Sequence, residues 1–247
     1  MMNVLITGAS SGLGASLKYE FEQRGQNVFG TTHDPKFVSE ESQMLYWDPT
    51  TYGNEHELAV ALSRSSADRF HVLINNAGIN AIKKFEHLTS GFLRDVMTVN
   101  FAGPIFLTQQ LLARGTANLN GGLQSGAVVC NIISDAAWRP MRHSLAYNCS
   151  KAALDMATKQ MARELTKPYN LTIFGVRPGK MAGTGMSHYI DQQVCEMRGW
   201  TSEQAHEYFK ANSVTGQEFS TILLAKLIAD LCTSRLPLSG ACLDLCG

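Results

Sequence analysis

A tyrosine and a lysine stand four residues apart, at Tyr147 and Lys151, in a segment whose apolar spacing predicts a helix. Residues four apart on a helix share one face, so the two side chains can act together. A tyrosine of ordinary pKa, about 10, is a poor acid or base at neutral pH, and a nearby ammonium group favours its ionised form. The pair can therefore carry general acid–base chemistry. The spacing alone also fits a surface Tyr–Lys pair.

Ser134 lies thirteen residues before Tyr147, just after an apolar run over 126–133 that suits a buried parallel strand. A hydroxyl at the carboxyl end of such a strand can hydrogen-bond a substrate carbonyl. On its own the residue is better explained as a turn or cap serine. Its interpretation as a catalytic residue depends on the tyrosine and the lysine.

Glycines recur at Gly8, Gly12 and Gly14, between a predicted strand over 3–6 and a predicted helix over 12–24. Gly8 permits a tight turn, Gly12 lets the backbone approach a pyrophosphate, and Gly14 lets the helix pack closely on the strand. The helix N-terminus then offers free N–H groups and the positive end of its dipole to phosphates. The pattern predicts dinucleotide binding, with a purely structural turn as the alternative.

Short apolar segments alternate with longer amphipathic ones along the chain. The predicted strands cover 3–6, 27–31, 44–47, 71–75, 126–133, 171–176 and 241–245. The predicted helices cover 12–24, 54–67, 89–113 with a break near Gly103-Pro104, 147–165 and 218–232. Because strands separated by helices form right-handed crossovers, we predict an α/β fold in one domain over 1–247. Its core is a Rossmann-type doubly wound parallel sheet of about seven strands with helices on both faces, and ligands of such sheets bind beyond the carboxyl ends of the strands.

In this order and spacing, the motifs resemble the short-chain dehydrogenase/reductase family in its short, single-domain type. The glycine turn has the family's G-x-x-x-G-x-G spacing, and Ser134, Tyr147 and Lys151 match its catalytic serine, tyrosine and lysine. Further matches are Asn75-Asn76-Ala77-Gly78, Asn100, Asp48 and the turn at Pro178-Gly179. The resemblance extends from Val4 to the end of the chain.

The resemblance implies an enzyme that transfers a hydride between NADP(H) or NAD(H) and a carbonyl or secondary alcohol. Ser134 and Tyr147 would hydrogen-bond the carbonyl oxygen, and Tyr147 would be the general acid/base. Lys151 would hold the nicotinamide ribose and lower the tyrosine pKa. Asn100 would hold a water that connects Lys151 to solvent.

The resemblance also implies a set of cofactor contacts. These residues are Gly8, Ser10, Ser11, Gly12, Leu13, Gly14, Thr32, His33, Asp48, Asn75, Ala77, Gly78, Tyr147, Lys151, Pro178, Gly179, Met181 and Thr184. Thr32 stands at the end of the second strand, where an acidic residue usually takes the adenosine ribose hydroxyls of NAD. The missing carboxylate favours NADP(H). NAD(H) remains the alternative, because no arginine stands there and Asp34 is close enough to reach a ribose.

Two segments are expected to shape the substrate site. Trp138, Met141 and His143 precede the tyrosine and are candidate substrate contacts, with a structural role for His143 as the alternative. The segment 185–214 has the position of a lid. Its aromatic residues suit an apolar or ring-bearing substrate, and they equally suit packing of the lid onto its own domain.

Charge and composition limit the partners. Lys plus Arg total 21 and Asp plus Glu total 21, so no net field attracts the chain to nucleic acid or to a membrane surface. Charged residues make up 17%, which together with the resemblance favours a homotetramer or homodimer. The six cysteines form no C-x-x-C pair, so we expect reduced thiols, no metal site and a cytoplasmic protein.

Two other functions compete with a reductase. A non-catalytic, dinucleotide-binding redox sensor would be marked by loss of the tyrosine or the lysine, and both are present. An epimerase or dehydratase of the same fold would carry an added substrate domain, for which the chain is short. The substrate and the physiological direction stay open.

Overall fold

The computed structural model describes residues 1–51, 54–65, 67–212, 216–234 and 236–245. Within these ranges, seven strands form one parallel sheet in the order β3-β2-β1-β4-β5-β6-β7. The strands are β1 (Asn3–Ile6), β2 (Asn27–Thr32), β3 (Met44–Tyr46), β4 (Arg69–Asn75), β5 (Gly122–Ile132), β6 (Thr172–Pro178) and β7 (Cys242–Leu245). The strand order reverses between the neighbouring strands β1 and β4. The predicted doubly wound parallel sheet is confirmed.

Helices cover both faces of the sheet. They are α1 (Gly12–Gln23), α2 (Asn54–Arg64), α3 (Ser90–Met97), α4 (Gly103–Thr116), α5 (Leu145–Tyr169), α6 (Gly185–Arg198), α7 (Ser202–Asn212) and α8 (Thr221–Thr233). Alternate residues of β1 supply the two cores: Val4 and Ile6 pack with the buried side of α1 and α8, and Leu5 packs with α2 and α4. None of the helices in the described ranges is long and apolar enough to span a membrane.

The predicted break near Gly103-Pro104 has another form in the structure. The chain passes from α3 into α4 through a π-helical turn over Thr98–Ala102. Pro104 occupies the first turn of α4, where a missing N–H is tolerated. The break therefore lies just before the proline, and π-helical turns of this kind are frequent at functional sites.

The segment predicted as a lid contains two helices. α6 begins after Thr184, whose hydroxyl accepts a hydrogen bond from the Ser187 N–H at 3.0 Å. It ends at Gly199, which has the left-handed φ of +63° that glycine favours. α7 follows, and the last predicted lid residues, 213 and 214, lie outside the described ranges.

Candidate active site

The carboxyl ends of the strands meet at a groove of about 270 Å³. Every residue predicted to contact the cofactor, apart from Asn75, lines this groove. They come from the glycine turn after β1, the segments at or after the ends of β2, β3, β4 and β6, and the first part of α5. Residues that are distant in sequence are thus brought to the edge of the sheet where the strand order reverses. Their contacts with a cofactor stay predictions.

Asn75 is the exception: its side chain lies inside the sheet, and its contact with a cofactor stays a prediction. Its amide donates to Asn131 Oδ1 at 2.8 Å and to Thr108 Oγ1 at 3.3 Å, all within the interior. The next residue, Asn76, lines the groove and donates to the carbonyl oxygens of Thr7 at 2.9 Å and Gly8 at 3.2 Å. Successive side chains at the end of a strand point in opposite directions, so only one asparagine of the motif can face the turn.

The glycine turn is built for close approach to an anion. Gly8 and Gly12 have left-handed φ angles of +66° and +54°. A Cβ on Gly14 would lie 2.0 Å from the Gly8 carbonyl oxygen, so no larger residue fits without backbone movement. The side chain of Ser11, at the N-cap of α1, makes no capping hydrogen bond, which leaves the first N–H groups of the helix for a ligand. The turn fits the pyrophosphate of a dinucleotide.

The far end of the groove holds a tryptophan that sequence reasoning missed. Trp47 is buried and lines the groove, and its indole N–H has no hydrogen-bond partner among the described residues. A buried N–H of this kind calls for an acceptor. The neighbouring Asp48 accepts hydrogen bonds from Thr50 N–H at 2.9 Å and Thr50 Oγ1 at 2.7 Å. The only signal in the sequence was an aromatic residue directly before Asp48.

The end of β2 carries hydroxyl groups and no carboxylate that faces the groove. Thr32 Oγ1 donates to Ser10 Oγ at 3.1 Å, and both residues line the groove together with His33. The Asp34 carboxylate instead caps the short helical turn that follows, accepting from the Lys36 N–H at 3.0 Å. Among the described residues, Asp34 is the first acidic residue after β2 in the sequence. Its carboxylate is therefore engaged in a hydrogen bond within its own loop.

Ser134, Tyr147 and Lys151 are all buried at the inner end of the groove. Burial raises the pKa of Tyr147 to about 12, helped by the Asp135 carboxylate and opposed by a hydrogen bond with Ser134. Lys151 Nζ lies 5.8 Å from the centre of the tyrosine ring and donates to the Ile132 carbonyl oxygen at 2.9 Å. Burial lowers the pKa of Lys151 to about 8.

These values correct one expectation from the sequence. The sequence predicts that Lys151 lowers the tyrosine pKa, but loss of water around the buried phenol raises it, and the interaction that lowers it is the hydrogen bond with Ser134. A tyrosine in this state is protonated at neutral pH. It is a proton donor rather than a ready base.

Asn100 is fully buried in the π-helical turn and fixes the loop after β4. Its Oδ1 accepts from the Ile79 N–H at 2.8 Å, and its amide donates to the Ile79 carbonyl at 2.8 Å and to Ser150 Oγ at 3.0 Å. A Cβ on Gly78 would lie 3.3 Å from Asn100 Oδ1 and 3.6 Å from Lys151 Nζ. The asparagine and the lysine therefore approach each other across Gly78, although Asn100 itself does not line the groove.

A second cavity, of about 350 Å³, opens beside the groove. It lies under the lid helices α6 and α7 and shares with the groove Ser134, Tyr147, Gly179, Met181, Thr184 and Met186. The groove and the cavity thus meet at the hydroxyl groups predicted to bind a carbonyl oxygen.

Of the three predicted substrate contacts, one lines this cavity. Met141 does, whereas Trp138 and His143 do not, and contact of all three with a substrate stays a prediction. The Trp138 indole is mostly exposed and donates to Asp244 Oδ1 at 3.1 Å, at the end of β7. His143 has a left-handed φ of +66°, and its carbonyl accepts from the Lys83 N–H at 2.8 Å, so it serves the backbone of the loop.

Lys180 joins the lid helices to the rest of the site. Its Nζ lies 2.8 Å from both carboxylate oxygens of Asp191 on α6 and 2.7 Å from Glu218 Oε1. It also stands 4.9 Å from the centre of the Phe209 ring on α7. Burial disfavours the ammonium form, but the two carboxylates outweigh it and raise the lysine pKa. This cation stays charged and holds both lid helices over the cavity.

Comparison with known proteins gives the family. The model of the short chain dehydrogenase family matches residues 2–194. L-xylulose reductase of Caenorhabditis elegans is 32% identical over 181 residues, which cover 71% of this chain and 70% of the reductase. A variant of actinorhodin polyketide ketoreductase, solved with NADPH, superposes with a TM-score of 0.87 at 22% identity over 100% of this chain and 96% of its own. The structure of 4-hydroxyisoleucine dehydrogenase with NADH superposes with a TM-score of 0.80 at 21% identity, covering 99% and 96%. With its parallel sheet, its glycine turn and a family match over most of its length, the chain belongs to the short chain dehydrogenase family of oxidoreductases.

Proposed function

We propose that this protein is an NAD(P)-dependent oxidoreductase that interconverts a carbonyl and a secondary alcohol, with Tyr147 as the general acid/base. The observation that carries the proposal is the position of Ser134 and Tyr147 where the groove meets the cavity. A cofactor in the groove and a substrate in the cavity would share these two hydroxyl groups. The reductase and dehydrogenase named above were solved with NADPH and NADH, which supports a nicotinamide dinucleotide here.

In the reductive direction, the chain's own residues handle the carbonyl oxygen and the proton. The Ser134 hydroxyl, which now donates to Asp135 Oδ1 at 3.1 Å, would turn its hydrogen bond to the carbonyl oxygen. Tyr147 would donate its phenolic proton to the same oxygen as that oxygen gains the negative charge of an alkoxide. The raised pKa keeps that proton on the phenol until the oxygen develops charge. The nicotinamide, when bound, supplies the hydride.

Lys151 would stabilise the phenolate that this step leaves behind. Its pKa of about 8 keeps it mostly charged at neutral pH, and its low exposure strengthens its attraction for a negative oxygen. Asn100 Oδ1, which accepts one hydrogen bond from the Ile79 N–H and approaches Lys151 across Gly78, would use its second lone pair to hold the water through which Tyr147 recovers a proton. Lys151 would also hold the nicotinamide ribose.

We propose NADP(H) as the preferred cofactor. A carboxylate at the end of β2 would repel a 2′-phosphate, and in the described structure Thr32 and His33 face the groove there instead. Asp34 is engaged by the Lys36 N–H. Among the described residues, no arginine lines the groove where it could attract a 2′-phosphate. The preference for NADP(H) therefore depends on the absence of a carboxylate that would repel this phosphate.

We further propose that one domain carries the site, that 185–214 acts as a substrate lid, and that the protein is a homodimer or homotetramer. Phe106 on α4 and Met156 on α5 have exposed fractions of 39% and 64%, which suits the helix packing between subunits expected from the sequence.

The test begins with a titration of the purified protein with NADPH and NADH, followed by nicotinamide fluorescence. A panel of carbonyl compounds is then added, and loss of nicotinamide absorbance reports turnover. Turnover that falls about tenfold or more in Ser134→Ala, with cofactor affinity unchanged, supports the proposal. Cofactor binding without turnover over the whole panel would favour the redox sensor.

A further inference from the structure

Four cations line the second cavity, and two of them are neutralised by carboxylates. Arg139 NH1 lies 3.9 Å from Asp135 Oδ2, and Lys180 is held by Asp191 and Glu218. The other two are Arg142, on the loop before α5, and Arg198, the last residue of α6. No carboxylate in the described ranges lies within 4.0 Å of either guanidinium. The cavity therefore carries uncompensated positive charge on one side.

The two arginines come from different elements and converge on the same region. Both act on His143, whose pKa is lowered by burial first and then by the charges of Arg142, Arg198 and Lys84. Glu86 opposes them from the neighbouring loop. At this edge of the cavity, three cations therefore act on His143 against one carboxylate.

Arg198 is held in position by aromatic rings. Its guanidinium carbon lies 4.4 Å from the centre of the Trp200 ring and 4.5 Å from that of Tyr208. Stacking on ring faces fixes the plane of the guanidinium and leaves its N–H groups free to donate in that plane. These are the conditions for binding a carboxylate or phosphate.

The same contacts change the expectation of an apolar substrate. Two of the lid's aromatic residues that line the cavity, Tyr208 and Phe209, contact Arg198 and Lys180. Asn80 also lines the cavity, and its buried Oδ1 accepts no hydrogen bond from the described residues. A polar ligand satisfies such a group better than a hydrocarbon does.

We propose that the substrate is a small carbonyl compound that also carries a carboxylate or phosphate group, which Arg142 and Arg198 bind. Its carbonyl oxygen lies at Ser134 and Tyr147 in the same cavity. The assignment of the carbonyl end depends on the proposed function, whereas the anion site does not. A cavity of about 350 Å³ is at the small end of ligand sites, which suits a metabolite of a few carbon atoms.

The test uses matched pairs of carbonyl compounds with NADPH. Pyruvate, acetoacetate and levulinate are each compared with the neutral amide, and dihydroxyacetone phosphate with dihydroxyacetone, so that the carboxylate and phosphate sources are separated. Wild-type protein should show kcat/KM at least about tenfold higher for an anion than for its neutral partner, the effect of a charge-assisted hydrogen bond. Arg142→Gln and Arg198→Gln should remove that ratio through KM alone.

The controls separate charge at the site from folding and from overall charge. Arg142→Lys and Arg198→Lys should restore part of the preference. Arg163→Gln removes one positive charge from an exposed position on α5 and should leave it intact. Equal values for anions and neutral partners, turnover of neutral compounds only, or equal losses for both in the variants would overturn the inference and leave the proposed function standing.

If no compound of the panel is turned over, titration calorimetry on the NADPH-loaded protein tests whether the anion site exists. Levulinate or dihydroxyacetone phosphate should bind to the wild type and lose at least about tenfold in affinity in the double glutamine variant. That result would sustain the anion site even though the proposed reaction had failed. No binding of either anion, or equal binding to the variant, would overturn the site itself.

Discussion

Lys151 is a charged group kept in the interior at a cost in stability, so its replacement by methionine should stabilise the fold. Its exposed fraction is 4%, and its Nζ donates to the carbonyl oxygen of Ile132. Lowering of its pKa from 10.5 to about 8 corresponds to about 3 kcal/mol of stability lost while the lysine is charged. Methionine has a similar length and no charge, but it leaves the Ile132 carbonyl without a donor, which costs about 1 kcal/mol. We therefore expect Lys151→Met to be about 2 kcal/mol more stable near pH 7.

The sign of the pH dependence follows from the lowered pKa. Below about pH 8 the lysine is protonated in both the folded and the unfolded state, and the whole penalty is present. Between pH 8 and pH 10.5 the folded state has lost the proton and the penalty declines; above pH 10.5 it is gone. The advantage of Lys151→Met should therefore be largest at neutral pH and should mostly disappear near about pH 10.

Urea unfolding at a series of pH values, at one protein concentration, measures this difference. Lys167→Met, at an exposed position on the same helix, is the control and should differ from the wild type by the same small amount at every pH. Parallel stability curves for wild type and Lys151→Met would refute the reasoning. They would mean that the pKa of Lys151 is ordinary in the folded protein.

Three further substitutions test the turn, the cofactor preference and the ion pairs below the site. Gly14→Ala places a Cβ 2.0 Å from the Gly8 carbonyl oxygen. Thermal unfolding should therefore show a loss of at least about 2 kcal/mol in the free energy of unfolding, together with weaker NADPH binding. An unchanged Tm would contradict the close packing of the helix on the turn. Thr32→Asp should raise the Kd for NADPH at least about tenfold in a fluorescence titration and change the Kd for NADH by no more than about a few fold. Equal effects on both cofactors would argue against a bound 2′-phosphate at this position. Arg177→Met removes the guanidinium that lies 2.6 Å from the buried Asp155 carboxylate. The free energy of unfolding in urea should therefore fall by about 3 kcal/mol. A loss below about 1 kcal/mol would show that the ion pair with Lys159 is enough to stabilise that carboxylate.

The fold and the groove could be predicted because each motif acts through its neighbours in sequence. A glycine turn between a strand and a helix fixes its own geometry, and parallel strands bring their carboxyl ends to one edge. That is why Gly14, Thr32 and Lys151 line one groove as expected. The family's motifs also occur here in the family's own order, and this match supported the prediction of one shared groove.

The sequence could not predict the direction or surroundings of side chains that tertiary contacts decide. The motif could not tell whether Asn75 or Asn76 faces the turn, because the answer depends on Asn131 of the neighbouring strand. The sequence makes Trp138 a candidate substrate contact and cannot show that its indole donates to Asp244, more than one hundred residues later. The Tyr147 pKa rises because of burial, which no spacing in the sequence reports.

The cationic side of the cavity was invisible for a related reason. Arg142 and Arg198 lie in different segments, and neither belongs to a basic run. Only folding of the lid helices over the loop before α5 places them beside one cavity. Aromatic residues of the lid are obvious in the sequence, but their role as supports for the cations is not.

The central claim is that Tyr147 donates the proton in a nicotinamide-dependent reduction, and the rate of NADPH consumption by Tyr147→Phe tests it most directly. Phenylalanine keeps the ring and removes only the hydroxyl, and Tyr189→Phe on the exposed side of the lid is the matched control. With a carbonyl substrate from the panel, kcat should fall by about a hundredfold or more in Tyr147→Phe while the Kd for NADPH stays within a few fold. Turnover that is indifferent to the loss of this hydroxyl would contradict the account and require a different catalytic acid.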